Sequence, residues 1–338
     1  MGRKLTETDI SMKDVAKLAG VATMTVSRAL NSPELLSPET LARVRTVIDA
    51  IGYVPNRVAG SLSSNRTNLV ALIVPSLRNA LYAETIQGIS DVLRKHNLQL
   101  MISDSGYSLK QEEELIAAHI AQRACGIILH NTTHTERAEQ MLRTAAIPCV
   151  ETGNLRGDPV DMLVSYSNFD AGKAMAEHLL GLGYRKFGFA SLPVKFSDRL
   201  RERRKGFLAG LKKAGVVVPP SMILEVGEGL ESGRLALAQL VKTDPGVRAV
   251  FFAGDVLAAG AVLECQRLGL SVPSRIAVAA SDDNDLMQHT SPALTTVRFP
   301  RYRIGARSAE LIVDRVNGKA REPVREDLGF EVIRRGST

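Results

Sequence analysis

The sequence predicts a small all-α headpiece followed by an α/β body made of two lobes. Residues 14–31 have the pattern of two short helices joined by a tight turn at Gly20. From Leu69 onward, continuous apolar runs alternate with amphipathic stretches, which is typical of parallel sheets covered by helices on both faces. The alternation forms two successive series, and the second begins near Met162. We therefore expect two similar parallel-sheet lobes after the headpiece.

Composition excludes several classes of protein. The chain has 338 residues, of which 45% are hydrophobic and 23% charged, so it has enough apolar material for more than one packed domain. Its net charge of +7 permits an anionic partner without requiring one. No stretch approaches the ~20 apolar residues of a membrane span, and the polar N-terminus does not resemble a leader peptide. We expect a cytoplasmic, nucleoid-associated protein with no membrane partner.

The three cysteines support the same compartment. Cys125, Cys149 and Cys265 are odd in number, far apart in the sequence and placed in apolar runs. Buried free thiols in a reducing environment explain this pattern better than disulfides do.

The first helix of the headpiece is predicted to begin after Ser11, with Asp14 in the position that completes a capping box. The pattern predicts that Val15, Ala16 and Leu18 face inward from this helix.

The second helix is predicted to have one packed face and one free face. Val26, Ala29 and Leu30 have the spacing of a buried stripe. The free face consists of Thr23, Met24, Thr25, Ser27 and Arg28. A helix of this kind suits the major groove of DNA, because its small polar groups and its arginine remain available to base edges.

A third helix and a marginal fourth one complete the headpiece. Ser37 and Pro38 mark the start of the third helix, and Gly52 marks its end. Residues 56–63 have one-sided apolar spacing over barely two turns, too short to be helical alone in water. A polar linker follows, so we predict two domains, residues 1–66 and residues 67–338.

The body is predicted to contain two parallel sheets. The predicted strands are 69–75, 98–103, 125–130, 148–152, 162–167, 186–191, 222–227, 249–254 and 276–281, and the late segments 294–300 and 330–335 are expected to cross back between the lobes. The predicted helices are near 80–96, 109–122, 134–145, 169–181, 202–214, 231–242, 255–268 and 302–316. The expected first lobe is residues 67–165 with 298–328, and the second is 166–297 with 329–338. A ligand is expected in the cleft between them, at the carboxyl ends of the strands.

Three motifs carry a resemblance to a known family over essentially the whole length. They are DVAxxAGVxxxTVSRxLN at 14–31, VPNRVA at 54–59 and PALTTV at 292–297. The chain resembles the LacI family of bacterial transcription factors, the lactose and purine repressor type. Within that family, ATMTVSR, PSLRNALYAETIQGI, HNTTHT and ECQRLGL are most similar to the repressors of gluconate operons.

The resemblance implies a homodimer that binds pseudo-palindromic double-stranded operator DNA. The free face of the second helix would read bases, with the arginine as the strongest contact. The side chains implied to hold phosphates are Ser11, Asn31, Tyr53, Asn56 and Arg57. The family's hinge helix enters the minor groove, and the side chains implied to wedge there are Val58, Ala59 and Leu62. Ala22 departs from the serine that caps the second helix in many members.

The resemblance also implies which residues line the effector cleft. Ser76, Asn79 and Tyr82 follow the first strand and would supply polar wall contacts. Arg203 matches the usual ligand-binding arginine, and Arg199 lies one helical turn away, although a solvated helix face would also explain this basic run. Two arginines in one cleft suit a carboxylate or a phosphate.

Acidic and aromatic residues complete the predicted cleft. Asp255 and Asp282 match the family's contacts to sugar hydroxyls, and Asp282 is the preferred candidate. Glu151 is a weaker candidate that surface charge would equally explain. Phe299 and Arg301 are expected to reach the cleft on a crossover strand.

The sequence predicts neither a metal site nor a catalytic one. His130 and His134 have a metal-ligand spacing, but they fall at a strand-to-loop junction with no third ligand nearby. No nucleophile elbow, phosphate-binding loop or zinc-protease motif is present. We expect no cofactor and no enzymatic activity.

These observations predict a repressor of a carbohydrate or sugar-acid catabolic operon. Gluconate or a related aldonate or ketoaldonate is expected to act as inducer, by changing the angle between the lobes and thus the spacing of the two linkers in a dimer. Three alternatives remain: a periplasmic-type sugar-binding protein, an α/β enzyme acting on sugar acids, and a regulator whose ligand is a corepressor. The C-terminal sequence lacks leucine heptads, so a dimer is expected rather than a tail-joined tetramer.

Overall fold

The computed structural model describes residues 10–54, 67–155, 157–319, 322 and 324–338, and it separates into two compact units, Met1–Thr67 and Asn68–Thr338. The residues predicted to form the hinge and its phosphate contacts lie outside the described residues; they are Asn56, Arg57, Val58, Ala59 and Leu62.

The headpiece unit is a three-helix bundle of α1 (Met12–Ala19), α2 (Thr23–Asn31) and α3 (Pro38–Ile51). The predicted capping box is confirmed, since the Ser11 side chain and the Asp14 carboxylate cap each other's backbone. Helix α1 ends at Gly20, whose φ of 63° is left-handed, as a tight turn between helices requires.

One prediction about the headpiece core is wrong. Leu18 is 61% exposed, and Ala19 occupies the buried position instead. Ala19 packs together with Val15 and Ala16 on the core that contains Val26 and Val44. This packing leaves Leu18 on the exposed side of the helix. The predicted cap at Ser37 and the predicted end at Gly52 are both confirmed.

The body contains the two predicted sheets. The strands are β1 (Leu69–Val74), β2 (Gln99–Asp104), β3 (Gly126–Leu129), β4 (Cys149–Glu151), β5 (Met162–Ser165), β6 (Phe187–Ser191), β7 (Ile223–Glu225), β8 (Ala249–Phe252), β9 (Ala277–Ser281), β10 (Thr295–Arg298), β11 (Val324–Asp327) and β12 (Glu331–Ile333). The first sheet has the strand order β11-β5-β4-β3-β1-β2 and is parallel throughout, and the second has the order β12-β10-β9-β8-β6-β7 with only β12 antiparallel.

Helices cover the sheets. They are α4 (Ala83–Lys95), α5 (Leu109–Ala121), α6 (Glu136–Ala145), α7 (Asn168–Gly181), α8 (Asp198–Lys213), α9 (Leu230–Thr243), α10 (Asp255–Arg267), α11 (Leu286–His289) and α12 (Arg301–Val316). Helix α8 begins four residues before its predicted start at 202, because the Ser197 side chain accepts a hydrogen bond from the Leu200 amide and caps it.

Two glycines bring α7 and α8 into close contact beside the cleft. A Cβ atom at Gly172 would lie 2.1 Å from the Arg203 carbonyl oxygen, and one at Gly206 would lie 1.8 Å from the Phe169 carbonyl oxygen. Only glycine permits this backbone approach, and the approach fixes the start of α8 against the start of α7.

The chain crosses between the lobes three times, after β5, after β10 and after β11. Strand β11 was not among the predicted strands. Cys125, Cys149 and Cys265 are buried and form no disulfide in the described part of the chain, as predicted. Within the described ranges, no helix is long and apolar enough to span a membrane.

Candidate functional site

A cavity of about 310 Å³ lies where the strands of both lobes end. The first lobe contributes Asn79, Tyr82 and Tyr107 to its wall, and the second contributes Arg199, Arg203, Asp255 and Asp282. The volume is at the lower end of the range of small-molecule sites, which is suitable for a ligand the size of one hexose.

Asp282 is the centre of the charged network beside this cavity. Its backbone has a left-handed φ of 79°, and its amide donates to the Val297 carbonyl at 2.9 Å, so β10 holds it in this conformation. The carboxylate accepts from Arg203 Nη1 at 2.9 Å and from Arg301 Nη2 at 2.7 Å. Burial acts to raise the pKa of Asp282, but the guanidinium groups of Arg203 and Arg301 outweigh it and hold the pKa below its ordinary value.

Both terminal nitrogens of the Arg203 guanidinium are committed to protein partners, whereas Nε is buried and has no partner among the described residues. Besides Asp282, Nη1 donates to Ser281 Oγ at 2.5 Å and Nη2 donates to Asn168 Oδ1 at 2.8 Å. The Phe299 ring centroid lies 5.1 Å from the guanidinium carbon, within cation–π distance. The close approach of α7 and α8 places Asn168 and Arg203 together, so this arginine is oriented before any ligand arrives.

Arg199 has more donors available than Arg203. Its Nη1 donates to the His130 carbonyl oxygen at 2.6 Å, across the boundary between the lobes. Burial acts to lower the pKa of Arg199. The nearby carboxylate of Asp198 and the phenol groups of Tyr82, Tyr166 and Tyr107 outweigh burial and raise this pKa above its ordinary value, so the guanidinium stays charged. Among the described residues, that carbonyl is the one hydrogen-bond acceptor seen for this guanidinium, so its other N–H groups can meet a ligand anion.

Asp255 is the least satisfied acid in the cavity. Oδ1 accepts from the Val256 amide at 2.7 Å, whereas Oδ2 is buried and has no partner in the described part of the chain. Burial, followed by the nearby charge of Asp282, raises the pKa of Asp255 to about 7. Near neutral pH this carboxyl group therefore exists in both its ionised and its neutral form.

Several residues predicted to line the cleft lie elsewhere. The Ser76 hydroxyl accepts from the Arg78 amide at 3.2 Å and does not line the cavity. Glu151 is fully buried inside the first lobe, where it accepts from the Val160 amide and contacts His134, so it neither lines the cavity nor carries surface charge. Asn79 and Tyr82 do line the cavity as expected from their position after β1.

Phe299 and Arg301 support the cavity from behind rather than forming its wall. Phe299 stacks on Tyr166 with ring centroids 3.9 Å apart, and Arg301 pairs with Asp282. Both are buried, and neither lines the cavity, because the chain turns into α12 at Pro300.

Several residues of the cavity wall were not predicted from the sequence, and three of them follow strands. Tyr107 follows β2, Tyr166 follows β5, and Glu228 follows β7. The rule that ligands meet the carboxyl ends of parallel strands would have found all three.

The two histidines have separate roles. The His130 ring packs edge-on against Tyr82, and its Nδ1 lies 2.9 Å from Thr152 Oγ1. His134 lies between Glu112 and Glu151, which raise its pKa to about 9 although burial acts to lower it. Among the described residues, no cluster of histidine, cysteine and acidic side chains could hold a metal ion.

The headpiece presents the predicted free face on α2. Thr23, Met24 and Arg28 are exposed, Met24 to 64%, while Thr25 and Ser27 are half-buried. Ala22 is the N-cap residue of α2 and makes no side-chain capping hydrogen bond, as the sequence implied.

The residues predicted to contact phosphates differ in availability. Asn31 is exposed, but its side-chain amide donates to the Ser27 carbonyl at 3.1 Å. The Ser11 hydroxyl donates to the Asp14 carboxylate, and Tyr53 is only 8% exposed within the headpiece core. A phosphate contact by Ser11 would therefore compete with the cap.

Comparison with known protein families matches two parts of the chain. Residues 11–56 match the model described as bacterial regulatory proteins, lacI family, and residues 176–338 match the periplasmic binding protein-like domain.

Full-length relatives extend these matches. The HTH-type transcriptional regulator GntR of Escherichia coli (strain K12) is 34% identical over 96% of this chain and 98% of its own length. GntR of Pseudomonas aeruginosa is 36% identical over 97% of this chain and 95% of its own. Among solved structures, a LacI-family transcriptional regulator from Silicibacter pomeroyi superposes with a TM-score of 0.91 at 34% identity, covering 97% of this chain and 99% of that one.

Proposed function

The chain belongs to the LacI family of bacterial regulatory proteins, and from that premise we propose that it represses a sugar-acid catabolic operon and releases its operator on binding gluconate or a related aldonate or ketoaldonate. Its full-length relatives are transcriptional regulators, so the chain is a transcriptional regulator and not an enzyme. The matched headpiece also argues against a periplasmic-type receptor.

The exposed face of α2 supports its role as the recognition helix. Arg28 has a solvent-exposed guanidinium that suits bidentate pairing with guanine, and Met24 offers an apolar surface suited to a thymine methyl group. Thr23, Thr25 and Ser27 would add shorter contacts. One headpiece offers few groups of this kind, so we propose that specificity requires a homodimer on two half-sites.

The observation that carries the effector assignment is the spare hydrogen-bonding capacity of Arg199. Both arginines line the cavity, but Arg203 donates to Asp282, Ser281 and Asn168, whereas Arg199 donates to one carbonyl oxygen and has Asp198 only at 4.0 Å. A buried guanidinium with free donors favours a carboxylate, since the charge-assisted pair is strong where water is excluded. Asp282 and Asp255 would then accept from the hydroxyl groups of the sugar chain.

Family membership alone does not set the ligand. A structure of the regulator CelR in complex with cellobiose has a TM-score of 0.71 and 29% identity to this chain, covering 97% of it and all of that one. That protein binds an uncharged disaccharide, so the preference for an acid in this chain rests on Arg199 and on the likeness to GntR regulators.

The test is calorimetric titration of the full chain with gluconate, 5-ketogluconate, glucose and sorbitol. We expect the two acids to bind and the two neutral sugars not to bind. Arg199→Ala should abolish binding of the acids, whereas Lys205→Ala removes an exposed cation of the same helix that lines neither cavity and is the control. Binding of glucose with no binding of either acid would overturn the proposal.

A second measurement determines the sign of regulation. Fluorescence anisotropy with operator DNA at fixed salt should show weaker binding when gluconate is added. The coupling should be reciprocal, so operator DNA should weaken gluconate binding by the same factor. Tighter operator binding on addition of gluconate would show that the ligand is a corepressor.

A further inference from the structure

A second cavity of about 580 Å³ adjoins the proposed effector cavity. It lies between the loop after β2, the loop after β3 and the first turn of α8, which belong to both lobes. The two cavities share five wall residues, so they form two compartments of one cleft; these are Tyr107, Leu192, Ser197, Leu200 and Glu228.

The walls of the second cavity are apolar with neutral polar groups at their edges. Leu109, Pro193 and the shared leucines provide aliphatic surface, and Tyr107 lines both compartments. Ser108, Asn131 and Thr133 provide hydroxyl and amide groups. A sugar ring has the complementary surface, with apolar C–H faces and hydroxyl groups around its edge.

The charges of the second cavity do not select an ion. Lys195 and Arg201 line it, but so do the carboxylates of Asp198 and Glu228. Asp198 lies within 4.0 Å of the Arg199 guanidinium and also accepts from the Thr132 amide at 3.2 Å, so it is held in place. With two cations and two anions around it, this compartment favours an uncharged group over a phosphate.

We propose that the cleft takes an aldobionic acid, a sugar acid that carries a second, neutral glycosyl unit. The acid portion occupies the first cavity with its carboxylate on Arg199, and the glycosyl unit occupies the second cavity against Tyr107 and Leu109. This inference rests on the proposed function, because the acid portion uses the same arginine.

The variant Leu109→Trp isolates the second compartment. Leu109 lines the second cavity, does not line the first and is 39% exposed, so an indole there fills the second compartment and leaves the first open. Leu235→Trp is the matched control, since Leu235 is a 52% exposed leucine on α9 that lines neither cavity. The chain has no other tryptophan, so indole fluorescence also reports the thermal unfolding of each variant.

The experiment is calorimetric titration of the full chain with gluconate, cellobionate, maltobionate, lactobionate and 6-phosphogluconate. At least one aldobionate should bind the wild type at least tenfold more tightly than gluconate. Leu109→Trp should remove the extra affinity for the aldobionate and leave the affinity for gluconate within threefold of wild type. Leu235→Trp should leave both affinities unchanged. If Leu109→Trp does not fold, Thr133→Phe fills the same compartment from the opposite loop.

Each other outcome would overturn either the sugar site in the second compartment or the proposed function. If gluconate binds but no aldobionate binds more tightly, the second compartment is not a sugar site, while the proposed function stands. A gain for 6-phosphogluconate instead of the aldobionates would show that the compartment selects a phosphate. A gain that survives both filling variants would place the glycosyl unit elsewhere. If no acid binds, the proposed function fails and this inference fails with it.

Discussion

Binding of an anionic effector should be coupled to the uptake of a proton by Asp255. The buried Oδ2 of this residue has no partner among the described residues, and its pKa is raised to about 7 by burial and by Asp282. Arg301 is the cation acting on it, and Glu228 lies on the wall of the same cavity. An aldonate adds another negative charge, so the ligand should bind most tightly when Asp255 is neutral.

The size of the pH effect on gluconate affinity follows from the pKa of Asp255. If only the neutral form binds, the apparent affinity is constant well below pH 7 and falls about tenfold for each pH unit above it. At pH 8 the affinity should be about tenfold weaker than its low-pH limit, which corresponds to roughly 1.4 kcal/mol. The carboxyl group of gluconate does not titrate in this range, and Asp282 stays ionised because its pKa is lowered.

Calorimetry in buffers of different ionisation enthalpy measures the protons taken up directly. The wild type should take up about half a proton per ligand at pH 7 and about nine tenths at pH 8. Asp255→Asn should bind gluconate with no dependence on pH in this interval, whereas the exposed Asp158→Asn should behave like the wild type. A wild-type affinity for gluconate that stays constant from pH 6 to pH 8 would refute the coupling of gluconate binding to protonation of Asp255.

Other predictions concern stability and the separation of the two functions. His134→Ala leaves two glutamates buried without their cation and should lower the free energy of unfolding by about 3–5 kcal/mol in urea denaturation. Because the folded pKa of His134 is raised to about 9, the wild-type contribution should be complete below pH 6.5 and disappear as pH rises through 9. Gly206→Ala places a methyl group against the Phe169 carbonyl and should cost about 1–3 kcal/mol or more by the same assay, whereas Gly181→Ala meets nothing within 4 Å and should be neutral. In anisotropy, Arg28→Ala should cost about 1–3 kcal/mol of operator affinity, and in calorimetry it should spare gluconate binding. Arg199→Ala should lose gluconate binding and spare operator binding; loss of both in one variant would indicate misfolding.

The regular elements of the body could be predicted because their signal is local. Apolar runs in fully buried parallel strands and caps such as Ser37 are set by neighbouring residues. Strand β11 was missed because its sequence, VRED, is charged and its burial alternates between half-buried and exposed, as expected at the edge of a sheet. The pairing of Val324 with Met162 that defines it joins segments far apart in the chain.

The candidate site was predicted less completely, because the chemistry of a residue depends on its partners. The sequence correctly brought Arg199, Arg203 and Asp282 to one cleft. It could not show that Ser281, Asn168 and Asp282 occupy the two terminal nitrogens of Arg203, since those partners come from different elements. Family position favours Arg203 as the anion-binding residue, whereas we propose Arg199 for that role because it has fewer protein acceptors.

The same first turn of α8 that faces the ligand also connects the lobes. Asp198 accepts hydrogen bonds from the amide and the hydroxyl group of Thr132, and Arg199 donates to the His130 carbonyl oxygen. These acceptors and donors lie in the loop after β3 of the first lobe, while α8 belongs to the second. If Arg199 binds the ligand carboxylate, as we propose, the ligand would add an acceptor next to one of these inter-lobe bonds. Its interaction energy would then differ between an arrangement of the lobes that keeps the bond and one that breaks it. A difference of that kind is what any effector needs in order to shift a conformational equilibrium.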